Sequence, residues 1–284
     1  MKRRNFIKIS SGLSGMMALS PKVLAGKENM KIHFLRHATF ILEVAGLKLL
    51  IDPMLSAKEA MDPIKISRNT FRIPMTDLPI DAGELKSIIA SLDAVVVTHT
   101  HRDHWDARAQ TLLDKNLPLI CQPSDVETFQ KQDFRNTLPV NTSIEFKGLK
   151  IYRTGGQHGT GDIGLKMGHV SGFVIEYKNE KIYIAGDTIW CAEVEDALSR
   201  HQPGHIVLNA GAAQFDSGGS ITMDENDVLK VLKAAPSSKV IAVHMETVNH
   251  CLLTRNDLAK VLQGNYASAR FAIPADGDEL ILDR

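Results

Sequence analysis

The chain has 284 residues, 44% of them hydrophobic, with 33 basic and 33 acidic side chains and a formal charge of zero. That is enough apolar material for one large domain or two small ones, and it carries no basic footprint of the kind nucleic acid requires. Three widely spaced cysteines, Cys121, Cys191 and Cys251, with no CxxC pair, exclude a disulfide framework and read as packed thiols.

In chain order, the neutral total hides a basic start. The sequence opens MKRRNFIKIS, with Arg3-Arg4, Phe6 and Lys8, followed by a weakly apolar stretch from Ile9 to Leu19. Val23 and Ala25 then stand at the small-residue spacing of a signal-peptidase site. This order predicts an export signal over residues 1–25 rather than a membrane span, and the arginine pair followed by x-Phe-Ile-Lys resembles a twin-arginine signal. Cleavage after Ala25 leaves 28 basic and 33 acidic residues, a charge of −5. The mature protein is expected to be a single domain over 26–284, periplasmic, with no stable membrane anchor.

The mature part begins with strands. KIHFLRH alternates, and TFILEVAGLKLLIDP reads as a hairpin around Ala45-Gly46. Pro53 to Pro79, rich in Pro, Met and charge, has no periodicity and reads as a long loop of the kind that forms lids or binding surfaces. LDAVVVTH is a buried strand by its continuous apolar run. Ala107 to Lys115 reads as a helix, LPLIC as a short strand, and PSDVETFQKQ as a helix capped by Ser124 with Glu127 three residues on. LKIYR is a strand leading into a glycine-rich loop, and VSGFVIEYKNEKIYIAGD is a hairpin around Asn179-Glu180. Helix AEVEDALSRH, strand HIVLNA, helix MDENDVLKVLKAAP, strand KVIAVH and helix TRNDLAKVLQ then follow in order. In both halves hairpins come first and β–α alternation later. The predicted architecture is α/β, two packed sheets with helices outside: a four-layer αβ/βα sandwich.

One segment stands apart. THTHRDHWD, Thr98 to Asp106, packs His99, His101, Asp103 and His104 into six residues straight after a buried strand. Such groups add nothing to a core, and the H-x-H-x-D-H spacing is that of a metal site. At a strand end His99 and His101, two apart, are expected to face the same way, while Asp103 and His104 turn toward a second centre. Further ligands are sought at other strand ends: His158 in GGQHGTG, Asp187 in AGDT, whose two oxygens can bridge two cations, and His244 in IAVHM. His250 in VNHC is a candidate proton donor or oxyanion partner. His37 in RHATF and Asp52 in LLIDP read as buried polar residues near the site, and Trp105 and Trp190 as core packing.

In order and rough spacing, THTHRDHWD, GGQHGTG, AGDT and IAVHM resemble the metal motifs of the metallo-β-lactamase-fold hydrolases. RHATFILEVAGLKLLIDP is similar to the opening of the branch that contains ascorbate-phosphate lactonases and N-acyl phosphatidylethanolamine phospholipase D. The resemblance implies two divalent ions. His99, His101 and His158 would hold the first, Asp103, His104 and His244 the second, with Asp187 between them. It also implies hydrolysis, by a hydroxide shared between the ions, of a small-molecule ester, lactone, amide or phosphodiester, with Asp103 and His250 as catalytic residues. The donors suit Zn2+, and Mn2+ or iron less well; di-iron relatives of the fold carry glutamate where this chain has His101. Three rival readings are weaker. A nuclease of the same fold is disfavoured by the mature charge and export, a di-iron redox protein by His101, and a non-catalytic metal-binding protein by the filling of all seven ligand positions.

Overall fold

A computed structural model describes residues 30–283 of the chain. The expected export signal, residues 1–25, lies outside the described residues. The first half contributes β1 (Met30–Arg36), β2 (Thr39–Val44), β3 (Leu47–Ile51), α1 (Ala82–Ala90), β4 (Ala94–Val97), α2 (Ala107–Leu112), β5 (Leu119–Cys121), α3 (Val126–Lys131) and β6 (Thr137–Pro139). The second half contributes β7 (Ser143–Phe146), β8 (Leu149–Thr154), α4 (Gly161–Met167), β9 (Gly172–Tyr177), β10 (Glu180–Ile184), α5 (Ala192–His201), β11 (His205–Asn209), α6 (Glu225–Ala234), β12 (Lys239–Val243), α7 (Arg255–Gln263), β13 (Phe271–Ala272) and β14 (Glu279–Leu282).

The two halves repeat one plan. Among the described residues one seven-stranded sheet has the order β14-β1-β2-β3-β4-β5-β6 and the other β13-β12-β11-β10-β9-β8-β7. In the first, β1 to β3 pair antiparallel and β4 to β6 add on in parallel, while β14 returns to pair antiparallel with β1. In the second, β7 to β10 pair antiparallel and β11 to β13 add on in parallel. Parallel neighbours need crossover helices, and these cover the outer faces. Between the sheets, Phe34, Leu42, Ile51 and Val96 of one meet Ile151, Phe173, Ile184 and Ile241 of the other. Outside the first sheet, Val95, Val97 and Leu119 pack with Ala109, Trp105 and Phe129. Outside the second, Ile206, Leu208 and Val240 pack with Val194, Val231 and Leu258. These three apolar layers make the αβ/βα sandwich that the pattern of elements predicts.

Several local expectations shift. The β2–β3 turn is Ala45-Gly46, both at positive φ (55° and 76°), the backbone of a two-residue turn matched to strand twist. The β9–β10 turn, expected at Asn179-Glu180, is Lys178-Asn179, with Lys178 supplying the positive φ of 55°. The helix expected to run to Lys115 stops at Leu112, because Leu113 is already extended at ψ 139°. Ser124 does not cap a helix: Pro123–Asp125 form a 3-10 turn, and the Ser124 hydroxyl donates to Asp125 instead. The sequence pattern missed α1, which has no buried residue but is capped by Asp81 accepting from Gly83 N and Glu84 N. It also missed α4, hidden in the glycine-rich loop. The 53–79 segment has no regular element beyond an isolated Met61–Ile73 bridge. It is nonetheless held firmly: the buried Arg36 guanidinium donates to the carbonyls of Met54, Ser56 and Thr76.

Candidate metal centre

The expected ligands gather at one end of the two sheets, each just past the end of an element. β4 ends at Val97, so His99 and His101 lie beyond it and do not face one way by strand alternation. A tight turn brings them together: His104 N and Trp105 N both donate to His101 O at 2.9 Å. Trp105 anchors this turn, its indole donating to Gln132 Oε1 at 2.7 Å between Phe129 and Phe134. Asp106 closes it, accepting from Ala109 N and Ser56 N.

From the second sheet, the loop after β8 carries His158. Gln157 N donates to Thr188 Oγ1 and Ile189 N donates to Gln157 O, stitching that loop to the residues around Asp187. Gly186 precedes Asp187 at φ 68°, and a Cβ there would stand 2.7 Å from Ser171 O, so only glycine admits this bend. His244 follows β12 at φ 71°, and its N donates to the carbonyl of His37, itself at φ 57°. Left-handed backbone at His37, Asp52 and His244 concentrates strain at the site, as functional centres often do.

The side chains form two main donor groups, buried except for the half-buried His101. His99, His101 and His158 make one; His37, Asp103, His104 and His244 make the other. Asp187 stands between, its Oδ2 3.8 Å from His99 Nε2, 3.5 Å from His158 Nε2 and 3.2 Å from His104 Nε2. Its Oδ1 lies 3.2 Å from His244 Nε2. All seven expected ligands are therefore brought together. His37 joins them more closely than expected, donating from Nε2 to Asp103 Oδ2 at 3.2 Å and lying on the His244 ring at 3.7 Å between centroids.

The far side of four of the imidazoles is held. Asp52 accepts from Thr98 N and Thr98 Oγ1, both at 2.7 Å, and from His104 Nδ1 at 2.9 Å. Since the Thr98 hydroxyl hydrogen goes to Asp52, its contact with His99 Nδ1 at 3.0 Å must be donated by the imidazole. Asp52 thus orients one ligand of each group, His104 directly and His99 through Thr98, leaving both Nε2 lone pairs free. His158 Nδ1 donates to Ile221 O at 2.7 Å, and His244 Nδ1 lies 3.5 Å from Cys251 Sγ. Asn209 Nδ2 holds Asp187 Oδ1 at 2.7 Å. Asn209, Thr98 and the hub role of Asp52 escaped sequence reasoning, although Asn209 ends β11 and the strand-end criterion that found the ligands would have reached it.

Electrostatics tests whether a cation fits. His99 Nε2 faces His101 Nδ1 at 2.9 Å, and His104 Nε2 faces His244 Nε2 at 3.2 Å, so lone pairs oppose one another unless one of each pair is protonated. Burial opposes charge on His104 and His244, yet Asp187 outweighs it, with help from Asp52 and Asp103 at His104 and from Cys251 at His244. The result is a His104 pKa well above the usual range and a His244 pKa of about 10. Burial and the neighbouring imidazoles push His99 well below it, and burial with His244 pushes His37 to about 3. Burial would raise Asp103 and Asp187, but His104 pulls both well below the carboxylate range, aided by His37 at Asp103 and by His244 at Asp187. Deprotonated carboxylates that draw protons onto buried imidazoles mark a place where a divalent ion would supply the positive charge instead, and mixed imidazole and carboxylate donors suit transition metals. The residues fit a metal.

His250 is 5% exposed, its Nδ1 buried without a protein partner, and burial lowers its pKa to about 4. The Cys121, Cys191 and Cys251 thiols are free. A cavity of about 220 Å³ opens beside His99 and His101, lined also by Asp125, Met167 and His169.

A family model described as the beta-lactamase superfamily domain matches residues 48–245. The chain is 38% identical over 254 residues to the UPF0173 protein YddR of Bacillus subtilis, covering 88% of this chain and 98% of that one. Among solved structures it is similar to the isothiocyanate hydrolase from Delia radicum gut bacteria, with 39% identity, a TM-score of 0.83, and 88% and 98% of the two chains covered. It is also similar to a possible metal-dependent hydrolase from Veillonella parvula, with 35% identity, a TM-score of 0.85, and coverage of 90% and 100%.

Proposed function

The chain belongs to the beta-lactamase superfamily as a metal-dependent hydrolase of the UPF0173 family, and from that premise we propose that it hydrolyses small isothiocyanates at a dinuclear zinc centre. The observation that carries the reading is the pair of donor groups facing each other across Asp187. His99, His101 and His158 would hold one ion, Asp103, His104 and His244 the other, and Asp187 would bridge them. Two bound divalent ions would polarise the substrate and lower the pKa of a shared water from about 16 to about 7. Five imidazoles against two carboxylates favour zinc over harder ions.

The chain's own residues would divide the remaining work. Asp103, fixed by His37, takes the proton as the water oxygen bonds to the central carbon of R–N=C=S. The carbon–nitrogen π pair moves to nitrogen, which gains a proton to give R–NH–C(=O)–SH. Cleavage of the C–N bond with a second protonation then releases R–NH2 and carbonyl sulfide. His250 would supply a hydrogen bond to the departing nitrogen from its buried position. The support for this substrate is the 39% identical isothiocyanate hydrolase, whose activity is that protein's own.

Zinc-loaded protein incubated with benzyl isothiocyanate should release benzylamine, and dialysis against a chelator should abolish the release. Close to two ions per chain are expected. A panel of lactones, esters, β-lactams, thioesters and phosphodiesters run alongside assigns the substrate if the amine does not appear. Export by the twin-arginine route is proposed with it: Arg3→Lys with Arg4→Lys should strand precursor in the cytoplasm, and uncleaved wild-type protein found there would refute the route.

A further inference from the structure

The described residues expose large hydrophobic side chains at Ile66 (68%), Phe71 (65%), Leu165 (82%) and Ile281 (57%). Ile66 and Phe71 lie in the 53–79 segment, and Leu165 lies in α4, the helix that follows the His158 loop. Ile66 is doubly unusual, because its φ is 60°. A β-branched residue is a genuine outlier there, since its side chain crowds the neighbouring carbonyl. Its exposed side chain recovers nothing from burial in return.

Other groups hold Ile66 in place. Asn249, 1% exposed, accepts from Ile64 N at 2.9 Å and donates from Nδ2 to Ile64 O at 3.1 Å, to Asn69 O at 3.0 Å and to Ser67 Oγ. Its own carbonyl accepts from Asn69 Nδ2 at 3.0 Å. The carbonyl of Ile66 accepts from Asp216 N at 2.9 Å, and that of His250 accepts from Gln214 N at 2.9 Å. Between these two bonds sits Phe215, its ring 5.9 Å from that of His250. The 64–69 turn, the 214–216 segment and His250 thus form one wall beside the metal centre, with an isoleucine fixed on its rim against its conformational preference. Strain maintained in this way belongs to sites that present a group to a ligand.

We propose that Ile66, held by Asn249, is a specificity-determining contact for an apolar substituent on the substrate, with Phe215 on the same wall. This deepens the hydrolase reading and rests on it, but it does not depend on the reacting group being an isothiocyanate. An aryl group offers such a contact more apolar surface than a short alkyl group does.

Hydroxamates test the contact without turnover, because they combine a metal-binding head with a variable tail. Calorimetry on the zinc-loaded full chain compares acetohydroxamate, benzohydroxamate and 3-phenylpropanohydroxamate. The phenyl-bearing probes should bind the wild type roughly tenfold tighter or more, as expected for an aryl group leaving water. Ile66→Asn, which accepts positive φ, should cut that advantage about fivefold, as expected for one lost apolar contact. Acetohydroxamate binding and the thermal midpoint should be no lower. Ile66→Leu should keep the advantage, and Asn249→Ala should lose it. Equal binding of all tails to the wild type, or an undiminished advantage in Ile66→Asn, overturns the proposal. No binding of any hydroxamate overturns it together with the metal reading. A tail advantage without benzylamine release refutes only the isothiocyanate substrate.

Discussion

The two donor groups share Asp187 and differ in nearly everything else. His99, His101 and His158 are all imidazoles, His101 is partly exposed, and the cavity beside them opens to solvent. His37, Asp103, His104 and His244 are all buried and include a carboxylate, and His104 takes a second carboxylate, Asp52, at its back. One group is all imidazole and partly exposed at His101, the other carries a carboxylate and is enclosed. Charge inside a protein must be matched locally, so under the proposed two-ion reading the enclosed group would retain its ion and the open one would offer its ion to substrate.

Asp187→Asn should have the largest effect. Asp187 sits nearer the enclosed imidazoles, at 3.2 Å from both His104 and His244, than the open ones, at 3.5 and 3.8 Å. Removing its charge should cost about a hundredfold or more in affinity for one ion, leaving a folded chain with close to one metal and little turnover. Metal analysis decides: two ions bound at unchanged affinity would assign the bridge to another carboxylate. Next, Asp52→Asn should weaken both ions about ten- to a hundredfold, because it releases His104 directly and His99 through Thr98. Thr98→Val should weaken only the open group, by about tenfold. Two-step chelator titrations separate these outcomes, and equal losses in Thr98→Val would break the comparison. In wild-type protein the open group should empty first under dialysis, giving a one-metal species in which His99→Ala with His101→Ala changes nothing further. The smallest effect is expected at Cys251→Ala, which removes only the sulfur contact to His244 and should weaken the enclosed ion a few-fold, with Cys251→Ser restoring it.

The gathering of the seven candidate ligands is legible because each member follows a strand or lies in one dense segment, and element ends are local signals. The reason His99 and His101 meet was not, since the strand stops at Val97 and a turn governed by Trp105 and Asp106 aligns them. Asp52 showed itself as a buried carboxylate near the site. Its grip on two histidines depends on Thr98 and His104 arriving from elsewhere, which no periodicity encodes. The apolar runs located the strands of both sheets' centres, but α1 buries nothing and α4 is glycine-rich, so neither carries an amphipathic stripe. Ile66 gave no hint of its backbone state, because positive φ at a β-branched residue is imposed by its surroundings and contradicts its own preference.

β14 joins the sheet begun by β1, pairing Met30 with Leu282 and His33 with Glu279. On a ribosome adding about 5–20 residues per second, the outer edge of β1 would wait on the order of ten to fifty seconds for that strand to emerge. Throughout that time the nascent chain presents an unpaired, apolar-backed strand edge, a template for faulty pairing with other chains. The first sheet can close only after β14 has been made, so its folded state is set late, and a chaperone acting on this protein would need to shield β1 until that strand arrives.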